Sequence, residues 1–292
     1  MNFAPSCCIH KLMFKEPVPK NCARTNSGSS FYWAMKLLPA NKRAAMFAIY
    51  GFCREVDDIA DGDAQASEKM ARLEDHRLAV EALYAGETPD IACVQCLRGV
   101  VDTFAINKAN LLAVVDGMEM DAFDTVIMPD EATFDLYIDR VACAVGRLSN
   151  AVFGISGPDA EKLAHHLGRA LQITNILRDL DEDAGLGRLY LPHDLLGAHG
   201  IEADTPHAVL KHPNLEAVLR VLAARAHWHY EQSTDALTRL DPAATKAARL
   251  MQVVYSRILE RLEERGLARV DQPVTLSKFE KLGLVLRHGI FA

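Results

Sequence analysis

What the chain lacks narrows it first. It has no basic excess: 32 Lys and Arg stand against 39 Asp and Glu, a formal net charge of −7. No face of such a chain repays the phosphate charge of a nucleic acid, so general nucleic-acid binding is excluded. No apolar run approaches the ~20 residues of a membrane-crossing helix. Residues 1–24 contain no apolar stretch of signal-peptide length. They mix Pro, Lys and Cys, and residues 1–26 read as a loose tail. A cytoplasmic protein is expected, with peripheral contact to the inner membrane left open. Glycine and proline are scarce, 17 and 12 in 292 residues, and 50% of residues are hydrophobic. This excludes the fibrous and disordered classes and leaves ample material for a buried core.

Cysteine number is also uninformative in a useful way. The seven cysteines are odd in number and scattered, which argues against a disulfide framework. Cys93 and Cys96 form a CxxC, but the sequence adds neither a second pair nor a histidine cluster nearby. The pattern reads as two half-buried helix cysteines. His165-His166 and His227-Trp228-His229 have no metal-ligand spacing to a partner, and core-edge or surface roles are expected. Ser149 has no His or Asp company for nucleophilic work.

Alternating β-branched runs are scarce as well, while Ala, Leu, Arg and Glu dominate. Helices are expected at about 31–38, 41–63, 67–85, 91–106, 109–121, 131–154, 159–184, 214–239, 242–266 and 276–287. Pro39, Gly86 to Pro89, Pro129-Asp130, Gly157-Pro158 and Asp241-Pro242 punctuate them. The longest weakly structured stretch, Gly185 to about Pro213, has a length often associated with function. Composition shifts nowhere, so one all-α domain over residues 27–292 is the expected architecture.

What the chain does have is acid in two concentrated blocks. Glu55 to Asp63 holds five carboxylates in nine residues, and Asp179 to Asp183 holds four in five. Each contains a DxxxD, Asp57 with Asp61 and Asp179 with Asp183. Residues four apart share a helix face, where like charges repel by about 0.2–0.5 kcal/mol. Tyr50, Arg54, Asp57 and Asp61 form one narrow stripe on a helix otherwise rich in Phe, Ile, Val and Ala. Gln172, Asn175, Asp179 and Asp183 repeat the pattern at spacings of three, four and four. A polar stripe on an apolar helix suits the wall of an internal cavity better than a solvated face. Two such stripes, each beside an arginine (Arg54, Arg178), suit a hard divalent cation held by oxygen ligands. Mg²⁺ is the natural choice, with Mn²⁺ as a substitute. Such a cation bridges carboxylates to substrate phosphates, and the chemistry this suits is departure of a diphosphate. Tyr137, Val141, Ala144 and Leu148 share a face of the 131–154 helix. Its small residues, Ala144 and Gly146, leave either room for a long apolar ligand or close helix packing.

The strings that carry these stripes resemble the squalene/phytoene synthase family. They are Ser30-Phe31-Tyr32, Ile49-Tyr50-Gly51-Phe52-Cys53-Arg54-Glu55-Val56-Asp57-Asp58-Ile59-Ala60-Asp61, and Val141-Ala142 with Val145-Gly146. Further on come Leu171-Gln172-Ile173-Thr174-Asn175-Ile176-Leu177-Arg178-Asp179, Glu182-Asp183 and Gly187-Arg188-Leu189-Tyr190-Leu191-Pro192. The resemblance covers residue 27 to the C-terminus. It implies an all-α isoprenoid-synthase bundle around a central cavity and head-to-head condensation of two prenyl diphosphates. It implies metal binding by Asp57, Asp61, Asp179 and Asp183 with Asn175 beside them. It places Ser30, Arg54, Arg178, Arg188 and Tyr255 at diphosphate, and Tyr50 and Tyr137 near the reacting carbons. Phe31, Val141, Ala144, Val145, Leu148 and Gln172 are the expected cavity lining.

Within the family, Asp116 to Asp121 and Asp139 to Ser149 look most like the bacterial presqualene diphosphate synthases of hopanoid biosynthesis. The resemblance thus implies that two farnesyl diphosphates give presqualene diphosphate and free diphosphate, with no NADPH required. The product would then pass to downstream enzymes of the squalene pathway. Phytoene, dehydrosqualene or full squalene synthesis is the alternative within the family. Outside it stands a non-catalytic prenyl-diphosphate-binding helical protein. No GxGxxG follows a strand; Gly185-Leu186-Gly187 lacks the third glycine.

Overall fold

The computed structural model describes residues 34, 35, 38–123, 125–203, 205–277, 280, 283 and 284. The expected tail over 1–26, the start of the first expected helix, Ser30 and Phe31 lie outside them, as does most of the expected helix 276–287.

The long helices follow the apolar periodicity and stop at the expected punctuation. Pro39 precedes α1 (Ala40–Asp61), which buries Ile49, Phe52, Val56 and Ile59 and ends where Gly62 turns extended. α2 (Ala66–Tyr84) lies against it and against α5 (Lys108–Asp121). The single helix expected over 91–106 is two short ones, α3 (Ala92–Gln95) and α4 (Arg98–Phe104). The second ends at Ala105, whose φ of 49° is left-handed. Asp130 caps α6 (Glu131–Ile138) by accepting from the Thr133 amide, satisfying a donor the helix leaves open.

The expected helix 131–154 is interrupted. Asp139–Cys143 forms a π-turn between α6 and α7 (Ala144–Phe153). Such a turn inserts one extra residue and rotates everything after it. α7 closes at Gly154, φ 76°, and the chain turns through Gly157 into α8 (Pro158–Gly185) with Pro158 in its first turn. α8 is the central element. It packs along α11 (Leu215–Thr238) and against α7, the π-turn and α12 (Lys246–Arg265). Residues 167 to 177 of α8 are all buried, so this stretch runs through the core.

The stretch from Gly185 to Pro213 is more structured than its sequence suggests. Arg188–Leu189 (β2) pairs in parallel with Val126–Ile127 (β1), in register Val126 with Arg188 and Ile127 with Leu189. Two short helices follow, α9 (His193–Ala198) and α10 (Pro206–Leu210). The pairing is too short to show as a periodic strand, yet it ties the segment after α8 to the segment after α5.

Candidate active site

Both polar stripes face inward. On α1, Tyr50, Asp57 and Asp61 are buried and Arg54 is half-buried; Asp57 is 0% exposed. On α8, Gln172, Asn175 and Asp183 are buried, and only 11% of the Asp179 side chain is exposed. The remaining acids of the two blocks, Glu55, Asp58, Asp63, Asp181 and Glu182, are exposed. Helical spacing therefore splits each block into an interior pair and an exterior remainder.

The three expected diphosphate-binding arginines are engaged with these aspartates. Arg54 Nη1 donates to Asp57 Oδ2 at 3.2 Å, and its Nη2 lies 2.5 Å from Asp58 Oδ1. Arg178 grips Asp179 with two bonds, Nε to Oδ1 at 2.9 Å and Nη2 to Oδ2 at 2.6 Å. Arg188, delivered by β2, donates Nη1 to Asp61 Oδ1 at 2.9 Å, with both side chains almost wholly buried. This last bond joins the end of the second motif to the first motif across 127 residues. Tyr255 on α12 hydrogen-bonds Arg178, and burial raises its phenol above the ordinary range. Burial foremost, then Asp58 and Asp57, also raises the Tyr50 phenol, so it stays protonated at neutral pH.

Two site residues carry no expected role in the sequence analysis. Asp121, the last residue of α5, is fully buried and accepts from two phenols. Tyr137 donates to its Oδ2 at 2.8 Å and Tyr190 to its Oδ1 at 2.9 Å. The two rings stack, centroids 5.1 Å apart. Arg188 and Tyr190 stand two apart on an extended strand and so share a face; Arg188 Nη2 reaches the Asp121 carbonyl at 3.5 Å. The available signal was that spacing, together with an acid at the end of an apolar helix.

An apolar cavity with about 70 Å³ of open space lies beside α7 and α8. Val141, Val145, Ser149 and Phe153 line it from one wall, and Leu163, Leu167, Leu171, Met46 and Met251 from others. Ala144 and Leu148 are fully buried but do not line it, and neither does Gln172. The 4-3-4 face expected over Tyr137 to Leu148 is displaced, because the π-turn rotates the face presented by α7. Gly146 borders the cavity and also serves close packing: a Cβ there would sit 3.1 Å from the Ala164 Cα.

The donor set fits a hard divalent cation. Four carboxylates and the Asn175 amide are all oxygen ligands, and buried Asn175 Oδ1 accepts no hydrogen bond. An oxygen acceptor left so inside a protein is costly unless something positive meets it.

The squalene/phytoene synthase family model matches residues 24–280. The chain belongs to that family. Among curated squalene/phytoene synthase relatives, the presqualene diphosphate synthase of Rhodopseudomonas palustris is 47% identical over 265 residues. The match covers 90% of this chain and 94% of that one. The presqualene diphosphate synthase of Zymomonas mobilis is 45% identical, covering 89% and 88%. A phytoene synthase of Mycobacterium tuberculosis is 31% identical, covering 91% and 86%. Among solved members, a dehydrosqualene synthase in complex with ligand superposes with a TM-score of 0.75 at 25% identity, covering 90% and 91%. The squalene synthase HpnC from Alicyclobacillus acidocaldarius has the same fold, with a TM-score of 0.74. The all-α fold expected for the squalene/phytoene synthase family is thus the observed one, the two-residue strands aside.

Proposed function

We propose that the protein is a presqualene diphosphate synthase that joins two farnesyl diphosphates head to head. The observation that carries this reading is two buried aspartate stripes, three of whose aspartates pair with arginines, with the Arg188–Asp61 bond tying the segment after α8 to α1, in a bundle that also encloses an apolar cavity. The relatives above 40% identity that bear this activity's name support it.

Asp57, Asp61, Asp179, Asp183 and Asn175 would hold Mg²⁺, which when bound supplies charge stabilisation to the departing diphosphate. Arg54, Arg178 and Arg188 each pair with a carboxylate. A guanidinium shared between carboxylate and diphosphate lowers the cost of bringing an anion into an acidic cavity. The C1–O bond of the first farnesyl diphosphate breaks, and C1 bonds to the 2,3-double bond of the second. Loss of one proton closes the cyclopropane. Tyr50 is held as a neutral phenol and Tyr137 donates its proton to Asp121. Neither is a phenolate base, so the released diphosphate is the proton's destination, with the Tyr50 hydroxyl as the relay we assign. The apolar walls keep water from the cation. Met46 and Met251, unbranched and flexible, would yield to an extended chain, since the open cavity is smaller than the roughly 300 Å³ typical of a ligand site.

No helix among the described residues is long and apolar enough to cross a membrane. Exposed Phe123, Ile127 and Leu136 support peripheral membrane contact and hand-over of a hydrophobic product to downstream enzymes. The cytoplasmic setting and the link to hopanoids are part of the same proposal.

Mass spectrometry of the product from farnesyl and geranylgeranyl diphosphate, with and without NADPH, tests the reading. A phosphorylated C30 product insensitive to NADPH is expected. Asp57→Ala and Asp179→Ala should abolish turnover and leave far-ultraviolet circular dichroism nearly unchanged. Full activity in either variant, or in excess chelator, would sink the metal-dependent reading. A hydrocarbon product would move the chain to the squalene or phytoene branch.

A further inference from the structure

On α1, Glu55 points away from the Asp57 and Asp61 stripe, toward the junction of α1 with α2 and α3. There it meets His76 of α2 and Cys93 of α3. The carboxylate oxygen, imidazole nitrogen and thiol sulfur all lie within 4.8 Å of one another. We propose that these three residues form a second metal site, for a borderline-soft divalent cation of the Zn²⁺ type, that clips α1, α2 and α3 together.

The tautomer of His76 carries the argument. Its Nδ1 lies 2.8 Å from the Arg72 carbonyl oxygen. A carbonyl cannot donate, so Nδ1 bears the proton. His76 is 94% buried and its Nε2 makes no hydrogen bond; the nearest carboxylate oxygen, Glu55 Oε1, is 3.5 Å away. A protonated ring would meet Glu55 only as a long ion pair at 3.5 Å, and a neutral ring would aim its lone pair at a carboxylate's lone pairs. A cation between the two would turn the neutral ring's repulsive contact into two ligand bonds. Donation of the distal ring N–H to a backbone carbonyl is also how metal-binding histidines are commonly oriented.

The ligand types set the class of metal. One thiolate, one imidazole and one carboxylate match Zn²⁺ and its near neighbours, not the all-oxygen preference of Mg²⁺. Bond lengths of about 2.0–2.3 Å place tetrahedral ligands roughly 3.5 Å apart, so closure asks about 1 Å of side-chain movement. Binding replaces the Cys93 thiol proton with the metal and releases it to solvent. Water reaches the half-exposed Glu55 side and completes the coordination. Three helices thereby gain one shared bond centre, on the outer side of the helix that carries Asp57 and Asp61.

Co²⁺ titration of the full chain, with excess Mg²⁺ to occupy the aspartate stripes, separates this site from the catalytic one. A thiolate-to-cobalt charge-transfer band that saturates at one equivalent is expected. Cys93→Ser should abolish the band, while Cys143→Ser retains it. His76→Gln and Glu55→Gln should weaken Co²⁺ and Zn²⁺ binding about tenfold to a hundredfold. Zn²⁺ should raise the thermal midpoint of the wild type and not of Cys93→Ser; circular dichroism reports whether each variant folds. Absence of the band in the wild type overturns the proposal. So does its persistence in Cys93→Ser, or unchanged affinity in both His76→Gln and Glu55→Gln. None of these readouts depends on the chain's product.

Discussion

Asp121 shows how much a single carboxylate organises. It holds the Tyr137 and Tyr190 phenols on its two oxygens, while its main-chain carbonyl accepts from Arg188, so the carboxylate itself positions two residues of the proposed site. An amide offers one acceptor in place of two and no charge. Asp121→Asn is therefore expected to cost about 1–3 kcal/mol, read from urea unfolding, and to slow product formation. Tyr190→Phe, which removes one donor and keeps the stack, should do less on both counts. Wild-type stability and turnover in Asp121→Asn would contradict the positioning role. The residues of the two stripes were legible in the sequence because helical spacing alone brings them onto one face. Asp121 and Tyr190 were not, because 69 residues separate them and nothing local couples an α5 terminus to β2. Cys93 was read as a bland half-buried helix cysteine; only the packing of three helices brings His76 and Glu55 to it.

The π-turn is the decisive element. Five residues, Asp139–Cys143, re-aim α7 so that Val145, Ser149 and Phe153 line the cavity and Ala144 and Leu148 do not. The turn is held by close contact with α8. A Cβ at Gly168 would stand 2.9 Å from the Cys143 backbone nitrogen and Cα. Gly168→Ala should force the two apart and destabilise the protein by about 1–3 kcal/mol, despite the better helix propensity of alanine. A urea midpoint equal to or above that of the wild type would show that the contact is slack. The periodicity located the expected helix 131–154 at both ends and missed its interior. Apolar residues on both sides of the turn fit a continuous helix equally well, and the extra residue becomes necessary only against α8. In the same way the segment after Gly185 carries no strand-length pattern, because a two-residue pairing leaves no period to detect.

At the scale of the molecule, the charge of −7 conceals its own arrangement. Three of the aspartates that face inward, Asp57, Asp61 and Asp179, carry arginine partners, and the exposed acids account for much of the excess. A second whole-molecule property comes from the imidazoles. His165, His166 and His229 gather between α8 and α11 with Trp228, and His166 and His229 share a hydrogen bond, Nδ1 to Nδ1, at 2.9 Å. Burial, then His166, Arg169, Arg225 and His165, push His229 from its ordinary 6.5 down to about 3. The unfolded chain then takes up this proton first. Stability should be full above about pH 6.5 and fall as pH drops toward 3, with His229→Gln flattening that slope in urea titrations. An unaltered slope in the variant would place the proton uptake elsewhere. The helical class and the two polar stripes follow from the sequence by itself, because each depends on spacing within one helix, and the family follows from the order of its motifs. The tertiary structure alone decided which arginine meets which aspartate, which face of α7 borders the cavity, and what lies beside Cys93. Those depend on contacts between segments far apart in the chain, and no local period encodes them.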